Sequence, residues 1–220
     1  PSLDAVSTLR HRETQKQALV DAKIATSPFI SPKNQIELIE FFENAKRGIV
    51  LKKKLFGYDG FGTFIVRSRS ELDQFMSEQK IEDYIAEERV TFRRELAISL
   101  ARDTKGQVQF FPIVEWKARN NQCWWVKGPI VSARAQKLKK DLKKFASHID
   151  YCGLLTFELF ETSTGLLINE VAPRVHNSAH HSIDSMSLNQ FQAHLVAVSG
   201  RSLKAPSVRR PFAMVNLVGS

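Results

Sequence analysis

Apolar positions recur with helical spacing in five segments of the chain. A polar helix is predicted over residues 7–22. A second helix follows Ser31 and Pro32, where the serine would cap the helix and the proline would occupy its first turn. The buried stripe of this second helix is predicted to consist of Ile36, Ile39 and Phe42. Further helices are predicted over residues 70–76, 133–147 and 188–198.

Runs of β-branched and aromatic residues between turn signals predict strands. These runs cover residues 48–54, 63–67, 83–88, 95–102, 108–115, 123–126, 153–160, 166–171 and 212–218. Turn signals at residues 103–106 and 120–121 separate neighbouring runs, which favours antiparallel pairing. The last run has nothing after it to pack against. The pattern predicts an α+β fold dominated by antiparallel sheet.

A chain of 220 residues that is 43% hydrophobic and 25% charged can bury a core and form one domain or two joined lobes. No segment has the roughly 20 consecutive apolar residues of a membrane helix, and the first residues lack the pattern of a signal peptide. We therefore expect a cytoplasmic protein without a membrane partner. Two cysteines, Cys123 and Cys152, are too few for a disulfide framework or a thiolate zinc site.

The net charge of +9 suits an anionic partner, which is either a nucleic acid or a phosphorylated small molecule. Much of the excess comes from lysines in segment 133–147, which interleave with Leu138, Leu142 and Phe145 at helical spacing. That spacing is typical of a solvated helix face. The sequence also lacks zinc-finger, RNP-type and heptad patterns, so no nucleic-acid partner is expected.

A glycine-containing loop between two predicted strands is the first candidate for chemistry. Lys52 ends the incoming strand, and Gly57-Tyr58-Asp59-Gly60-Phe61-Gly62 follows it. Glycines let backbone N–H groups approach phosphate oxygens, and the lysine adds positive charge, so the loop could be a flap over phosphates. It matches neither the dinucleotide nor the Walker pattern, and a tight hairpin turn explains it equally well.

Two carboxylates on neighbouring strands form the second candidate. If residues 163–165 make a three-residue hairpin loop with Gly165 in the left-handed conformation, Glu158 lies opposite Glu170, beside Asn169. Carboxylates facing each other repel, and Mg²⁺ held with nucleotide phosphates would compensate for this repulsion. The alternative is a solvent-facing pair in a different register.

An irregular segment rich in hydrogen-bond donors follows these strands. Arg174 can bind a phosphate or carboxylate through two hydrogen bonds, and His176 and Asn177 can orient a small polar substrate. The nearby His180 and His181 also suggest a transition-metal site as an alternative. The two histidines are adjacent in sequence, however, and no cysteine is close, which disfavours such a site. A loop that combines these residue types after acidic strand positions favours a functional role.

Five motifs occur together in the order and approximate spacing of one known family, and the match spans nearly the whole chain. They are Arg12-Glu13-Thr14-Gln15-Lys16, Lys52 with Gly57-Tyr58-Asp59-Gly60, Phe92-Arg93-Arg94-Glu95-Leu96, Phe157-Glu158-Leu159-Phe160, and Asn169-Glu170-Val171-Ala172-Pro173-Arg174-Val175-His176-Asn177-Ser178. In these motifs the chain resembles the ATP-grasp N5-carboxyaminoimidazole ribonucleotide synthases.

The resemblance implies an ATP-grasp fold, with two lobes of antiparallel sheet and packed helices that clamp MgATP. It places the ATP-grasp domain at residues 1–205, with a small lobe at about 25–85 and a large lobe at about 86–200. Residues 206–220 would begin a truncated carboxy-terminal lobe, and the family's amino-terminal lobe would be absent. The implied reaction is ATP-dependent carboxylation of aminoimidazole ribonucleotide with bicarbonate, through carboxyphosphate, in purine biosynthesis. The implied cofactors are ATP and Mg²⁺, and the full-length family members form homodimers.

The resemblance also implies roles for individual residues. Arg12 and Lys52 would contact phosphates beneath a flap of Gly57, Tyr58, Asp59, Gly60, Phe61, Gly62 and Thr63. Adenine would lie against Glu87, Glu88, Arg89 and Val90, and ribose against Glu95. Mg²⁺ would bind Glu158 and Glu170 with help from Asn169, and Tyr58, Asp59, Arg174, His176 and Asn177 would face bicarbonate and the ribonucleotide.

Several positions depart from the family pattern. Phe56, Phe61 and Thr63 replace a glycine, a lysine and a glutamine, Ala118 stands where a histidine is expected, and residues 178–182 read Ser-Ala-His-His-Ser in place of Ser-Gly-His-Trp-Thr. Two alternatives therefore stay open. One is an ATP-grasp ligase with another acceptor, such as a purine-pathway formyl transferase, and the other is a nucleotide-binding domain with impaired catalysis.

Overall fold

The computed structural model describes residues 1–57, 61–119 and 122–217. The strands are β1 (Phe29–Ile30), β2 (Ile49–Lys53), β3 (Thr63–Val66), β4 (Tyr84–Glu88), β5 (Arg94–Arg102), β6 (Val108–Phe110), β7 (Val114–Arg119), β8 (Gln122–Gly128), β9 (Gly153–Glu161), β10 (Leu166–Ala172) and β11 (Phe212–Val215). The helices are α1 (Leu3–Arg10), α2 (Arg12–Asp21), α3 (Gln35–Asn44), α4 (Arg69–Glu78), α5 (Ala135–His148), α6 (Ser182–Ser185) and α7 (Gln190–Val198). Within these ranges, no helix is both long enough and apolar enough to cross a bilayer.

The strands form two antiparallel sheets, which confirms the predicted α+β fold. The small sheet has the order β1-β4-β2-β3. The large sheet has the order β10-β9-β5-β7-β8-β11, and β6 pairs with β5. The lobe boundaries expected from the sequence stay a prediction.

The small sheet buries one face against α3 and α4. Ile49 and Leu51 of β2 are fully buried there with Leu38 and Leu72, and each side chain of this kind contributes about 1.5–3 kcal/mol by leaving water. Successive side chains on a strand point to opposite faces. Val50 and Lys52 therefore face the other side of the sheet, toward the large sheet.

The large sheet buries one face against α5. Leu155, Phe157 and Leu159 of β9 pack there with Leu142 and Phe145 of the helix. The same alternation turns Glu158 and Phe160 to the opposite face, toward the small sheet.

The first predicted helix is two helices. The break is at His11, whose backbone is extended (φ −98°, ψ 119°), so that it ends α1 and precedes α2. The Thr14 hydroxyl donates to the carbonyls of Thr8 and His11, and Gln15 Nε2 donates to Leu9. The bonds to Thr8 and Leu9 satisfy carbonyls that the break leaves without helical partners, whereas the His11 carbonyl also accepts from Gln15 N.

The predicted start of the second helix is also wrong. Asn34 caps α3 by accepting from Glu37 N at 2.9 Å, three residues after Ser31. The buried side chain of α3 is Leu38, with Ile39 and Phe42 partly buried, whereas Ile36 is 69% exposed.

Two strand predictions differ from the structure. The run 108–115 is split between β6 and β7, because Pro112 has no N–H to donate to a ladder. The run 212–218 contains β11, which pairs with β8 through Phe212 opposite Gly128 and so packs against an earlier strand. Whether residues 206–220 begin a further lobe stays a prediction.

Candidate active site

A cavity of about 440 Å³ lies between the two sheets. Side chains from β2, β3 and β4 line one side, and side chains from β5, β9, β10 and the following loop line the other. Fifteen of the predicted site residues line it: Arg12, Lys52, Gly57, Thr63, Glu87, Glu88, Arg89, Val90, Glu95, Glu158, Asn169, Glu170, Arg174, His176 and Asn177.

The glycine-containing loop is only partly described. Tyr58, Asp59 and Gly60 lie outside the described residues, and Phe61 and Gly62 do not line the cavity. A Cβ atom at Gly57 would lie 2.4 Å from Arg12 Nη1, so a glycine is needed for this close approach. Phe56, where the resemblance predicts a glycine, has φ +60°, in the left-handed region that favours glycine.

Glu158 and Glu170 lie opposite each other on β9 and β10, as predicted. The predicted turn is wrong, however, because Leu166 pairs with Glu161 and the loop has four residues. Thr162 Oγ1 accepts from the backbone of Thr164 and Gly165, and Gly165 does not have a positive φ. A bulge between Ile168 and Glu170 then shifts the register by one residue.

Asn169 lies at this bulge and connects the two sheets. Its Oδ1 accepts from Lys52 Nζ at 2.8 Å, and its Nδ2 donates to Glu158 Oε2 at 3.3 Å. Only this orientation of the amide satisfies both neighbours. A second connection joins Arg12 Nη2 to Glu170 Oε2 at 2.9 Å.

Glu87 is a buried carboxylate between two lysines. Its Oε2 accepts from Lys16 Nζ at 2.8 Å and from Ser27 Oγ at 2.6 Å. Its Oε1 lies 2.9 Å from Lys52 Nζ, as an ion pair without hydrogen-bond geometry. Burial acts to raise the pKa of Glu87, but the charges of Lys52 and Lys16 outweigh it and lower the pKa to about 2.

Glu95 shares the cavity face of the large sheet with Glu158. Burial, together with the nearby charge of Glu158, raises the pKa of Glu95. Phe92 and Phe160 stack beside it, with ring centroids 4.5 Å apart. This end of the cavity therefore combines an aromatic wall with the Glu95 carboxyl group, which can accept hydrogen bonds.

The loop after β10 brings His176 to the carboxylates. His176 Nε2 lies 3.3 Å from Glu158 Oε1. Its Nδ1 accepts from the Ser178 backbone N–H at 3.3 Å, so the neutral ring carries its proton on Nε2, which faces Glu158. The fully buried Gln190 accepts from His176 N and donates to His176 O, and these two bonds fix the backbone of the loop.

His180 and His181 take no part in this site. His180 stacks on Phe191, while the buried His181 stacks on Phe212 at 4.0 Å and lies beside Ser185. Across the described ranges, no group of three or more His, Cys, Asp and Glu side chains has the arrangement of a metal site. The structure therefore gives no support to the transition-metal alternative.

Sequence reasoning did not predict several residues that line the cavity. They are Ser27, Val50, Ile65, Phe92, Trp116, Cys123 and Phe160, and Ala118 lines it beside them. Alternation along strands was the available signal for three of them. Val50 precedes Lys52 by two positions, Ile65 follows Thr63 by two, and Phe160 follows Glu158 by two.

Comparisons with known proteins agree with this geometry. Residues 17–191 match the sequence model of the ATP-grasp domain. The N5-carboxyaminoimidazole ribonucleotide synthase of Staphylococcus epidermidis strain RP62A is 30% identical over 98% of this chain, and the match covers 58% of that protein. The chain thus spans less than two thirds of the length of such relatives.

Solved structures show the same likeness. The N5-carboxyaminoimidazole ribonucleotide synthetase of Thermus thermophilus superimposes with a TM-score of 0.92 at 29% identity, over 100% of this chain and 60% of that one. The Aspergillus clavatus N5-carboxyaminoimidazole synthase, in complex with ADP and 5-aminoimidazole ribonucleotide, gives a TM-score of 0.89 at 27% identity, over the same shares of the two chains. With a domain match across most of its length and this fold, the chain belongs to the ATP-grasp family.

Proposed function

We propose that the gene product containing this chain carboxylates 5-aminoimidazole ribonucleotide with bicarbonate at the expense of ATP, giving N5-carboxyaminoimidazole ribonucleotide. The observation that carries the proposal is the pair Glu158 and Glu170, which faces Lys52 and Arg12 across the cavity. The likeness to synthases of this name supports the choice of substrate. We also expect a cytoplasmic homodimer.

The donor set at the carboxylates fits Mg²⁺. Mg²⁺ prefers oxygen ligands and is usually held by one or two carboxylates together with substrate phosphates and water. Glu158 and Glu170 supply two carboxylates on adjacent strands, and Asn169 would add an amide oxygen once Lys52, from which its Oδ1 now accepts, turns to phosphate. When bound, the ion would neutralise phosphate charge, and it would also relieve the repulsion between the two carboxylates.

ATP would lie across the cavity with its base at the β4 end. The carboxylate of Glu87 is engaged with lysines, so adenine would contact the backbone of residues 87–90. Ribose hydroxyls would donate to Glu95, beside the stacked Phe92 and Phe160. Lys52 and Arg12 would exchange their present partners, Asn169 and Glu170, for phosphate oxygens, beneath the flap of residues 57–63.

The acceptor would bind at the loop after β10. Arg174 lines the cavity and can hold a phosphate or bicarbonate, and Asn177 can hydrogen-bond the ribonucleotide. His176, oriented by Ser178 and Gln190, would hold its Nε2 proton toward Glu158 and the reacting groups. Tyr58 and Asp59 keep their proposed role in this region as expectations from the sequence.

The reaction needs positioning and charge neutralisation rather than a protein nucleophile. Bicarbonate oxygen would attack the γ-phosphorus as the bond to ADP breaks, and the amine of the ribonucleotide would then take the carboxyl group as phosphate leaves. Arg12, Lys52 and the ion held by Glu158 and Glu170 would stabilise the charge that develops on the phosphoryl oxygens.

Turnover by the complete gene product tests this function. ADP release should require bicarbonate and aminoimidazole ribonucleotide together, and Glu170→Ala should abolish it. ADP release that depends on formate, or on another purine intermediate, would instead support a ligase with a different acceptor.

A nucleotide-binding domain with impaired catalysis is the second candidate. Ala118 lines the cavity where the family has a histidine, and Phe56 holds a backbone conformation that favours glycine. Binding of an ATP analogue without any acceptor-dependent ADP release would favour this candidate.

A further inference from the structure

One face of α2 reaches both sheets. Gln15 and Lys16 follow Arg12 by three and four residues, so the three side chains share this face. Arg12 binds Glu170, and Gln15 makes two hydrogen bonds to the backbone of Val171, at 2.7 and 2.8 Å. Lys16 extends to the small sheet instead, where its Nζ contacts Glu87.

Lys16 has no direct access to a ligand. Its side chain is 2% exposed, and it does not line the cavity. Its ammonium group lies 2.8 Å from Glu87 Oε2, 2.7 Å from Thr26 Oγ1 and 3.0 Å from Ser27 Oγ. Three acceptors use all three donors of the ammonium group.

The charge of Glu87 is shared between two lysines. One carboxylate oxygen faces Lys16, and the other faces Lys52 at 2.9 Å. Two positive charges and one negative charge leave a net charge of about +1 in this group. Lys52 lines the cavity and its side chain is 12% exposed, so it is the residue that directs this excess positive charge at the cavity.

We propose that Lys16 is a positioning residue for phosphate binding. It fixes the Glu87 carboxylate and compensates part of its charge, so that Lys52 keeps a net positive charge directed at the nucleotide phosphates. This inference rests on the proposed function and extends it, because it assigns a role to a buried residue that touches neither ATP nor the acceptor.

The titration of Lys16 provides a readout specific to its charge. Burial lowers the pKa of Lys16 to about 8, against the attraction of Glu87, and the other charged groups that act on it are Lys52 and Glu170. When Lys16 loses its proton between pH 7 and 9, Lys52 would be the only one of the two lysines that still compensates the negative charge of Glu87. The affinity for phosphates should therefore fall as the pH rises across this window.

The test compares four proteins by calorimetric titration: the wild type, Lys16→Met, Lys16→Arg and Lys54→Met. Each is titrated with a non-hydrolysable MgATP analogue and with adenosine, which has no phosphates. Lys16→Met should bind the analogue about tenfold more weakly or worse and bind adenosine unchanged. Lys16→Arg should keep most of the affinity. Lys54→Met, which removes a lysine paired with Glu13, should bind like the wild type.

The pH dependence supplies a second measurement that does not require Lys16→Met to fold. Wild-type affinity for the analogue should fall between pH 7 and 9, and the fall should be absent in Lys16→Arg, whose guanidinium stays charged. Parallel pH profiles in these two proteins would overturn the inference.

The outcomes separate the inference from the function on which it rests. A wild type that binds adenosine but not the analogue would overturn the phosphate site and both proposals. A wild type that binds the analogue, with Lys16→Met binding it equally well, would overturn the inference alone. Equal losses for the analogue and adenosine in Lys16→Met would show a structural role and would also overturn it.

Discussion

Glu158 and Glu170 face each other across β9 and β10 because a bulge at Asn169 corrects the register of the hairpin. Without it, the four-residue loop would set Glu158 opposite Asn169 and turn Glu170 to the other face. The bulge also points Asn169 at Lys52 and Glu158. One irregularity in the ladder thus places two carboxylates and an amide at the same cavity.

Glu158→Gln is expected to separate stability from metal binding. The substitution removes like-charge repulsion worth about 0.2–1 kcal/mol, so the ligand-free protein should be as stable as the wild type or slightly more stable. The gain in ATP-analogue affinity produced by Mg²⁺ should shrink by about tenfold or more. Urea unfolding and calorimetric titration with and without Mg²⁺ measure the two effects.

Glu161→Gln is the matched control for this variant. Glu161 lies on the same strand, outside the cavity, and pairs with Arg94 at 2.7 Å. Its substitution should leave the Mg²⁺ effect intact. A Mg²⁺ effect of wild-type size in Glu158→Gln would rule out the proposed metal site.

The sequence predicted the carboxylate pair for a partly incorrect reason. A three-residue loop with a left-handed Gly165 gives the observed pairing, but the actual loop has four residues and the bulge restores the register. Bulges depend on contacts outside the hairpin, here with Lys52 and with the backbone of Ala25, which accepts from Ile168. Local turn chemistry cannot reveal them.

Other differences have the same physical origin. The break at His11 separates α1 from α2, yet nothing in the periodicity of residues 7–22 marks it. The environment of Glu87 depends on Lys16 and Lys52, which come from two distant elements. By contrast, strands that contain apolar runs bounded by turn signals, such as β2 and β9, were predicted to within about a residue, because a short apolar run of this kind is typical of a buried strand.

Gln190→Ala is expected to loosen the loop that carries His176. It leaves the His176 N–H without a partner and removes one of two hydrogen bonds to the His176 carbonyl, which also accepts from Ala179 N, at a cost of about 1–3 kcal/mol of stability. The Michaelis constant for the acceptor should rise more than that for ATP. Gln190 is the first residue of α7, and Gln192→Ala removes an exposed capping interaction of that helix. This control should leave both Michaelis constants unchanged. Equal increases for both substrates would contradict a local effect on the loop.

Glu87 is expected to make the protein sensitive to acid. Its folded pKa of about 2 lies below the usual 4.5, so its stabilising contribution is present above pH 4.5 and is lost as the pH falls toward 2. The contribution is on the order of 3 kcal/mol. Lys16 affects stability in a different pH window. Its folded pKa of about 8 lies below the usual lysine pKa of 10.5, so the unfolded chain binds more protons in between, and stability should rise as the pH increases from 8 to 10.5.

Glu87→Gln tests this role of Glu87 by urea unfolding between pH 2.5 and 7. The variant should be less stable than the wild type at neutral pH by about 3–5 kcal/mol, because two lysines lose their counter-charge. Its stability should also depend less on pH below 4.5. Identical slopes in this acid range would show that other carboxylates cause the acid sensitivity.

Gly57→Ala is expected to weaken nucleotide binding without unfolding the protein. The added Cβ would lie 2.4 Å from Arg12 Nη1 and 3.2 Å from Phe61 O. The closer atom ends a flexible side chain, so Arg12 should move away at a small cost in stability and lose its contact with Glu170. Affinity for the ATP analogue should fall by about three- to tenfold, as expected when one charge-assisted hydrogen bond is lost.

Gly165→Ala is the control for this change, because nothing lies within 4 Å of a Cβ at that position. It should bind the analogue like the wild type. If Gly57→Ala also binds like the wild type, Arg12 does not contribute to phosphate binding from its present position. If Gly57→Ala instead loses several kcal/mol of stability, the contact with the Phe61 carbonyl is the one that cannot relax, and the glycine serves the fold of the loop rather than the placement of Arg12.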